Sequence, residues 1–209
     1  MDTDPKRDFL SNVFFSNTLM ATVQRSHVYK PGVVAKRREE FQKNLREQLK
    51  KLAEQYKEVV DGETHIQNIL ALSAHLTARH ADILEGERFR IGVAQKALNL
   101  YLKFCWCLGW IGQPPHCPFD SRIIGKLREY DGPSWTQLDS AEEYRRLVSA
   151  AKAKAGRESL ACWELGVYLG TQTGQKRAAQ MTRELEILNR RADCLNEEAM
   201  DALTYQVKT

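Results

Sequence analysis

Two side chains, Lys96 and Asp120, stand where their types can do covalent chemistry. The stretch Ile91–Leu102 reads as a tight turn running into a helix, with Lys96 in the helix's first turn. Backbone N–H groups at such a turn point outward and can receive a phosphate. A lysine there meets the positive end of the helix dipole, and partial burial adds to that effect. Both lower its pKa and favour the neutral amine, which is a nucleophile. Twenty-four residues later, Pro118-Phe-Asp-Ser-Arg122 puts Asp120 at a helix N-cap, where a carboxylate accepts backbone N–H bonds and stays ionised. A fixed carboxylate can stabilise a developing cation or orient a nucleophile. Either residue alone reads more simply, Lys96 as a surface lysine and Asp120 as a cap. Their order and setting favour the joint reading.

A second constellation, Cys105, Cys107, His116 and Cys117, invites a metal. Cys105 and Cys107 are two apart on a helical stretch, so they point roughly 200° apart and cannot readily hold one ion. No metal site is expected, and the thiols read as core. His116 either lines a pocket or packs a proline turn. Trp106 and Trp110, four apart, read as core. The basic run from Lys36 to Lys51 reads as the solvated face of a helix.

Several helices must position these groups. Phe41, Leu45, Leu49, Leu52, Tyr56 and Val59 recur at helical steps, and Asp61-Gly62 stops the pattern. Thr64 to about Leu84 reads as a more buried helix, and a third helix begins near Val93 and runs through Leu108. Gly109, Gly112, Pro114, Pro115 and Pro118 force an irregular connection before a short helix at Asp120 or Ser121. Ser140-Ala-Glu-Glu143 is a capping box opening a helix through Ala155. Glu158–Leu169 and Lys176–Ala192 complete the set. Asp2–Gly32 is poorly periodic and reads as an apolar N-terminal arm that docks, closed by Pro31-Gly32. No stretch alternates like a strand, so the expected class is all-α. One unit is expected over residues 1–209: arm and basic helix (1–62), catalytic core (63–170) and C-terminal helices (171–209).

Composition sets the limits. The chain has 209 residues, 43% hydrophobic and 28% charged, with 12 Gly and 6 Pro, which excludes collagen-like and wholly disordered classes. Its longest apolar stretch, Leu98–Ile111, is broken by Lys103, so no membrane span is expected. The N-terminus lacks the pattern of a secretory signal. Five cysteines without a CxxC pair suit reduced thiols and a cytoplasmic setting. The net charge is +4 and uneven: Gly86–Arg128 holds seven Lys/Arg against two acids, a local +5 that encloses Lys96 and Asp120.

Gly92-Val-Ala-Gln-Lys-Ala-Leu-Asn99 resembles the hairpin and following helix of the helix-hairpin-helix (HhH-GPD) DNA glycosylases. Pro118-Phe-Asp-Ser-Arg-Ile123 resembles that superfamily's aspartate segment. Gln95-Lys96, with Lys103 seven residues on, is most similar to the archaeal 8-oxoguanine DNA glycosylases, and the likeness covers roughly residues 91–170. The resemblance implies a two-lobed helical fold and a DNA glycosylase with AP-lyase activity. Lys96 would attack C1′ of a flipped-out nucleotide to form a Schiff base, and Asp120 would stabilise the oxocarbenium-like transition state. Gly92, Val93, Ala94 and Gln95 would hold DNA phosphate through the hairpin, where an alkali cation is left open. Arg88, Arg90, Arg122, Lys126 and Arg128 would hold phosphates nonspecifically. Trp163, Ser159, Lys103 and His116 would line the base pocket.

The iron–sulfur cysteines of some members are absent, and no other cofactor is implied. Where the archaeal enzymes read guanine with an acid, four positions before Trp163, this chain has Ser159. The base is therefore open between a damaged base and a hypermodified pyrimidine of phage DNA, the latter implying a defence enzyme. A noncatalytic helical DNA-binding module is the competing reading. DNA is the expected partner, and a monomer the expected state.

Overall fold

The computed structural model describes residues 4–170. Seven α-helices follow one another there: α1 (Pro5–Ala21), α2 (Ala35–Gln55), α3 (Gly62–His80), α4 (Ile91–Cys107), α5 (Ser121–Ile124), α6 (Ala141–Ala155) and α7 (Leu160–Tyr168), with a 3-10 turn at Glu85–Glu87. The class is all-α. The described residues contain no strand, only an isolated bridge between Tyr29 and Leu84. None of their helices is long and apolar enough to cross a membrane. The chain divides into two compact units, Met1–Glu164 and Leu165–Thr209; the second is described only to residue 170, and the helix expected at Lys176–Ala192 lies outside the described residues.

The first unit is built around α4. Helices α1, α2, α3 and α6 all pack against it, and it is buried nearly all round, from Gly92 through Lys103. A helix without a solvent face cannot show a polar stripe. Around it, α2 presents Phe41, Leu45 and Leu49, each fully buried. A fully buried leucine contributes about 1.5–3 kcal/mol through area removed from water. Asp61 starts α3 by accepting from the N–H groups of Glu63 and Thr64 at 2.8 and 2.9 Å. The expected capping box opens α6: Glu143 N–H donates to Ser140 Oγ, and Ser140 N–H to Glu143 Oε2, both at 3.1 Å.

Three expectations differ from the structure. The N-terminal arm is the regular helix α1, begun by Asp4, which accepts from Lys6 N–H at 3.0 Å. Its inward stripe runs through Ser11, Phe15 and Thr18, and two hydroxyls among three inward residues hide the helical period. Ser11 Oγ meets the Tyr101 hydroxyl of α4 at 2.9 Å, and Phe14 stacks on Phe104 with centroids 5.0 Å apart. Helix α3 ends at His80, short of Leu84, because the chain beyond it pairs with the segment after α1. There Lys30 N–H donates to Ile83 O at 2.9 Å and Glu85 N–H to Val28 O at 2.8 Å.

The third difference concerns Gly92. It is not the apex of an outward-facing hairpin; it lies inside the first turn of α4 and is buried. Its N–H donates to Leu138 O at 2.8 Å, and the N–H groups of Val93 and Ala94 both reach Arg90 O at 3.0 Å. Ile91 N–H donates to Asp139 Oδ1 at 3.3 Å. The first-turn donors of α4 are thus taken by the 134–139 loop and by Arg90 O, and are unavailable to a phosphate. Glycine is required for a different reason: a Cβ on Gly92 would lie 1.8 Å from Trp135 O. Gly92→Ala must push this backbone aside. It is expected to lower stability by at least about 2 kcal/mol in urea denaturation, and wild-type stability would contradict this packing.

Candidate active site

Helix α4 carries Lys96 inward, with 4% of its surface exposed. Its Nζ stands 3.9 Å from the centroid of the Trp135 ring. Burial pushes the amine's pKa down; Asp120 pulls it up, and Arg25 pushes it down further. Desolvation is the largest of the three, so the amine's pKa lies below the ordinary lysine value. Asp120 caps α5, its Oδ1 accepting from Arg122 N–H at 3.0 Å and Ile123 N–H at 3.1 Å. Trp135 spans the two parts. Its face lies under the Lys96 amine, and its Nε1–H donates to Ser121 Oγ at 3.2 Å, next to Asp120.

Gln95 does something other than bind phosphate. Its Nε2 donates to Phe119 O at 2.8 Å while its Oε1 accepts from Phe119 N–H at 3.2 Å. Its second donor reaches Gly92 O at 3.0 Å. A buried carboxamide thus ties the backbone beside Asp120 to the residue before Lys96.

Polar contacts continue inward. Asn99 Nδ2 donates to Gln95 Oε1 and to the Tyr144 hydroxyl, both at 3.3 Å. The Tyr144 hydroxyl meets His116 Nδ1 at 3.0 Å. His116 crosses His65 edge to face at 4.7 Å, and His65 Nδ1 meets the Tyr56 hydroxyl at 2.6 Å. His116 is 1% exposed. Of its two expected roles, the structure favours packing within this core over lining a base pocket.

The remaining expected site residues are dispersed. Arg88 pairs with Asp139, and Arg90 Nη1 donates to Thr136 O at 3.3 Å. Arg122, Lys126 and Arg128 are exposed on and just after α5. Lys103 Nζ donates to both Glu164 oxygens, at 2.9 and 2.7 Å, in a buried ion pair. Burial pushes the Glu164 carboxyl up against the pull of Lys103, and Asp120 adds to the rise. Ser159 is exposed and caps α7, its Oγ accepting from Cys162 N–H at 3.3 Å. Trp163 is buried. Among the described residues, no group of three His, Cys, Asp or Glu side chains is placed to hold a metal ion.

Sequence reasoning did not single out Trp135 or Glu164. Trp135 sits in a Pro-Ser-Trp loop with no periodicity, and Glu164 is one acid on a short helix. Only the heptad step from Lys96 to Lys103, which puts both amines on one face of α4, hinted that a partner acid was needed.

No protein-family model, curated protein or solved structure matches this chain. The site must be read from its own geometry.

The buried histidines set a pH dependence. Burial, aided for His116 by His65 and Lys152, holds His65 down to about 4 and His116 down to about 2. The unfolded chain takes up these protons near the ordinary value of 6.5 while the native state does not. Their neutral burial is therefore harmless above that value and costs stability as pH falls below it. Each histidine is expected to remove about 1.4 kcal/mol per pH unit below its unfolded pKa. Urea denaturation at pH 7, 6 and 5 checks this; a flat stability over that range would contradict it.

Proposed function

We propose that this protein is a DNA glycosylase with AP-lyase activity, in which Lys96 is the nucleophile and Asp120 the supporting carboxylate. One observation carries the reading: a desolvated lysine amine lies against Trp135 within electrostatic reach of a capped aspartate. Neither the burial nor the electrostatic coupling to Asp120 is needed for a surface lysine or a simple cap. The reaction that suits this pair is displacement at a sugar carbon with cationic character.

In that reaction the Lys96 lone pair attacks C1′ as the N-glycosidic bond breaks, and the base leaves with the bonding electrons. Asp120 stabilises the positive charge that develops on the sugar, and it takes the proton released when the amine becomes bonded. Opening of the sugar ring gives the imine. Loss of a C2′ proton then expels the 3′-phosphate by β-elimination, which nicks the strand. The target nucleotide must leave the duplex for Lys96 to reach it, at a cost of a few kcal/mol offset by contacts in the pocket. Arg122, Lys126 and Arg128, exposed beside Asp120, supply nonspecific phosphate contacts.

The two-lobed helix-hairpin-helix fold belongs to this proposal too, and the all-α arrangement around α4 is compatible with it. Ser159 caps a helix, which leaves the choice between a damaged base and a hypermodified phage pyrimidine to experiment.

Borohydride trapping on duplexes with abasic, oxidised and hypermodified sites tests the reading. A covalent adduct is expected with the wild type and none with Lys96→Ala. Asp120→Asn is expected to slow base release by about 100-fold or more while DNA affinity stays unchanged. Absence of adduct and of released base across the panel, with DNA binding intact, would instead identify a noncatalytic DNA-binding module.

A further inference from the structure

We propose that the recess between the turn after α1 and the first turns of α2 is a separate subsite for a phosphate group. It has a volume of about 440 Å³, and its polar lining is Gln24, His27, Tyr29, Arg38 and Gln42. None of the lining residues carries a carboxylate. Two carboxamides, a phenol, an imidazole and a guanidinium form a set rich in hydrogen-bond donors with a fixed positive charge. That chemistry suits an anion with several acceptor oxygens.

A second observation points to a ligand. The Tyr29 hydroxyl is buried and has no hydrogen-bond partner among the described residues. The Gln42 carboxamide lies close to it without completing a bond. A buried hydroxyl left unpaired costs about 1–3 kcal/mol, and a small shift of the phenol toward the recess would let a phosphate oxygen accept from it. The phenol ring packs against two neighbours. Phe41 meets it edge on at 5.5 Å, and the Arg38 guanidinium sits over it at 5.4 Å. Arg38 forms no ion pair among the described residues, so its charge remains available to a ligand.

The turn itself is fixed. Thr22 Oγ1 donates to Thr18 O at 2.6 Å and Ser26 Oγ to Thr22 O at 2.9 Å, carrying the pattern of α1 past its last turn. His27 then adopts φ 48°, a left-handed conformation that costs a non-glycine residue about 1–2 kcal/mol. Arg25, on the same turn, is exposed and unpaired among the described residues, and its charge is felt at Lys96. The recess therefore adjoins a turn that reaches the proposed nucleophile, as a subsite for a flanking backbone phosphate would. That DNA source rests on the glycosylase reading; the anion chemistry does not.

Two variants and two probes test the subsite, using the full chain. Tyr29→Phe removes only the hydroxyl and keeps the ring contacts, and Arg38→Gln removes the charge at an exposed helix position; circular dichroism confirms that both fold. With an unmodified duplex, each variant is expected to bind about fivefold more weakly. Arg38→Gln is also expected to reduce the slope of log affinity against log salt by about 0.9. Inorganic phosphate is expected to raise the melting temperature of the wild type more than that of either variant. If phosphate protects the wild type alone while duplex affinity is unchanged in both variants, the occupant is a free phosphate compound and the DNA source is overturned. If the variants match the wild type with both probes, the subsite itself is overturned. A wild type that responds to phosphate but binds no duplex would sink the glycosylase reading and leave the recess standing.

Discussion

The geometry of the site depends on the Gln95 carboxamide bonded to both the N–H and the C=O of Phe119. Those two bonds copy the pairing of adjacent backbones, and they join α4 to a segment with no regular structure of its own. Asp120 follows Phe119 and Lys96 follows Gln95, so one side chain fixes the separation of the two groups that carry the proposed chemistry. The remaining Gln95 donor is spent on Gly92 O. A buried amide with its donors engaged has little freedom to move.

Burial does the electrostatic part. Helix α4 takes Lys96, Gln95, Asn99 and Lys103 out of water together, and the low dielectric penalises whichever charge lacks a partner. Lys103 meets this with Glu164 in a full ion pair. Lys96 has instead an aromatic face and a carboxylate that is committed to capping α5. Two lysines on one face of one helix are thereby given opposite treatment. One is hydrogen-bonded to a carboxylate, and the pKa of the other is pushed down by burial. The histidine–tyrosine layer behind them shows the same logic, since His65 and His116 are buried as neutral rings.

Much of this was legible in the chain. The spacing Phe41, Leu45, Leu49 fixed α2, the Ser140–Glu143 box fixed the start of α6, and Asp120 was readable as a cap from its place before Ser-Arg-Ile. Lys96 drew notice because the positive end of a helix disfavours a lysine's charge; α4 begins at Ile91, so Lys96 lies in its second turn, and burial does that work instead. What failed to show had physical causes. Helix α1 hides its inward face behind Ser11 and Thr18. Gly92 suggested a phosphate-binding turn, yet its missing Cβ makes room for the Trp135 carbonyl, a contact 43 residues away that no local pattern encodes. Gln95 read as part of a binding turn, because a carboxamide's partner cannot be inferred from its neighbours. The local charge of +5 over Gly86–Arg128 also looks different now: Lys103 and Arg88 are paired with acids at 164 and 139, while Lys126 and Arg128 are exposed just after α5.

The central claim is that burial lowers the pKa of Lys96 beside Asp120. Heteronuclear NMR of protein labelled at lysine Cε and Nζ, with the Lys96 signal assigned by its loss in Lys96→Met, measures this directly. The account predicts that Lys96 titrates below the ordinary lysine value, and that removing the Arg25 charge moves its midpoint upward. A Lys96 that titrates with the surface lysines and ignores Arg25 would contradict it.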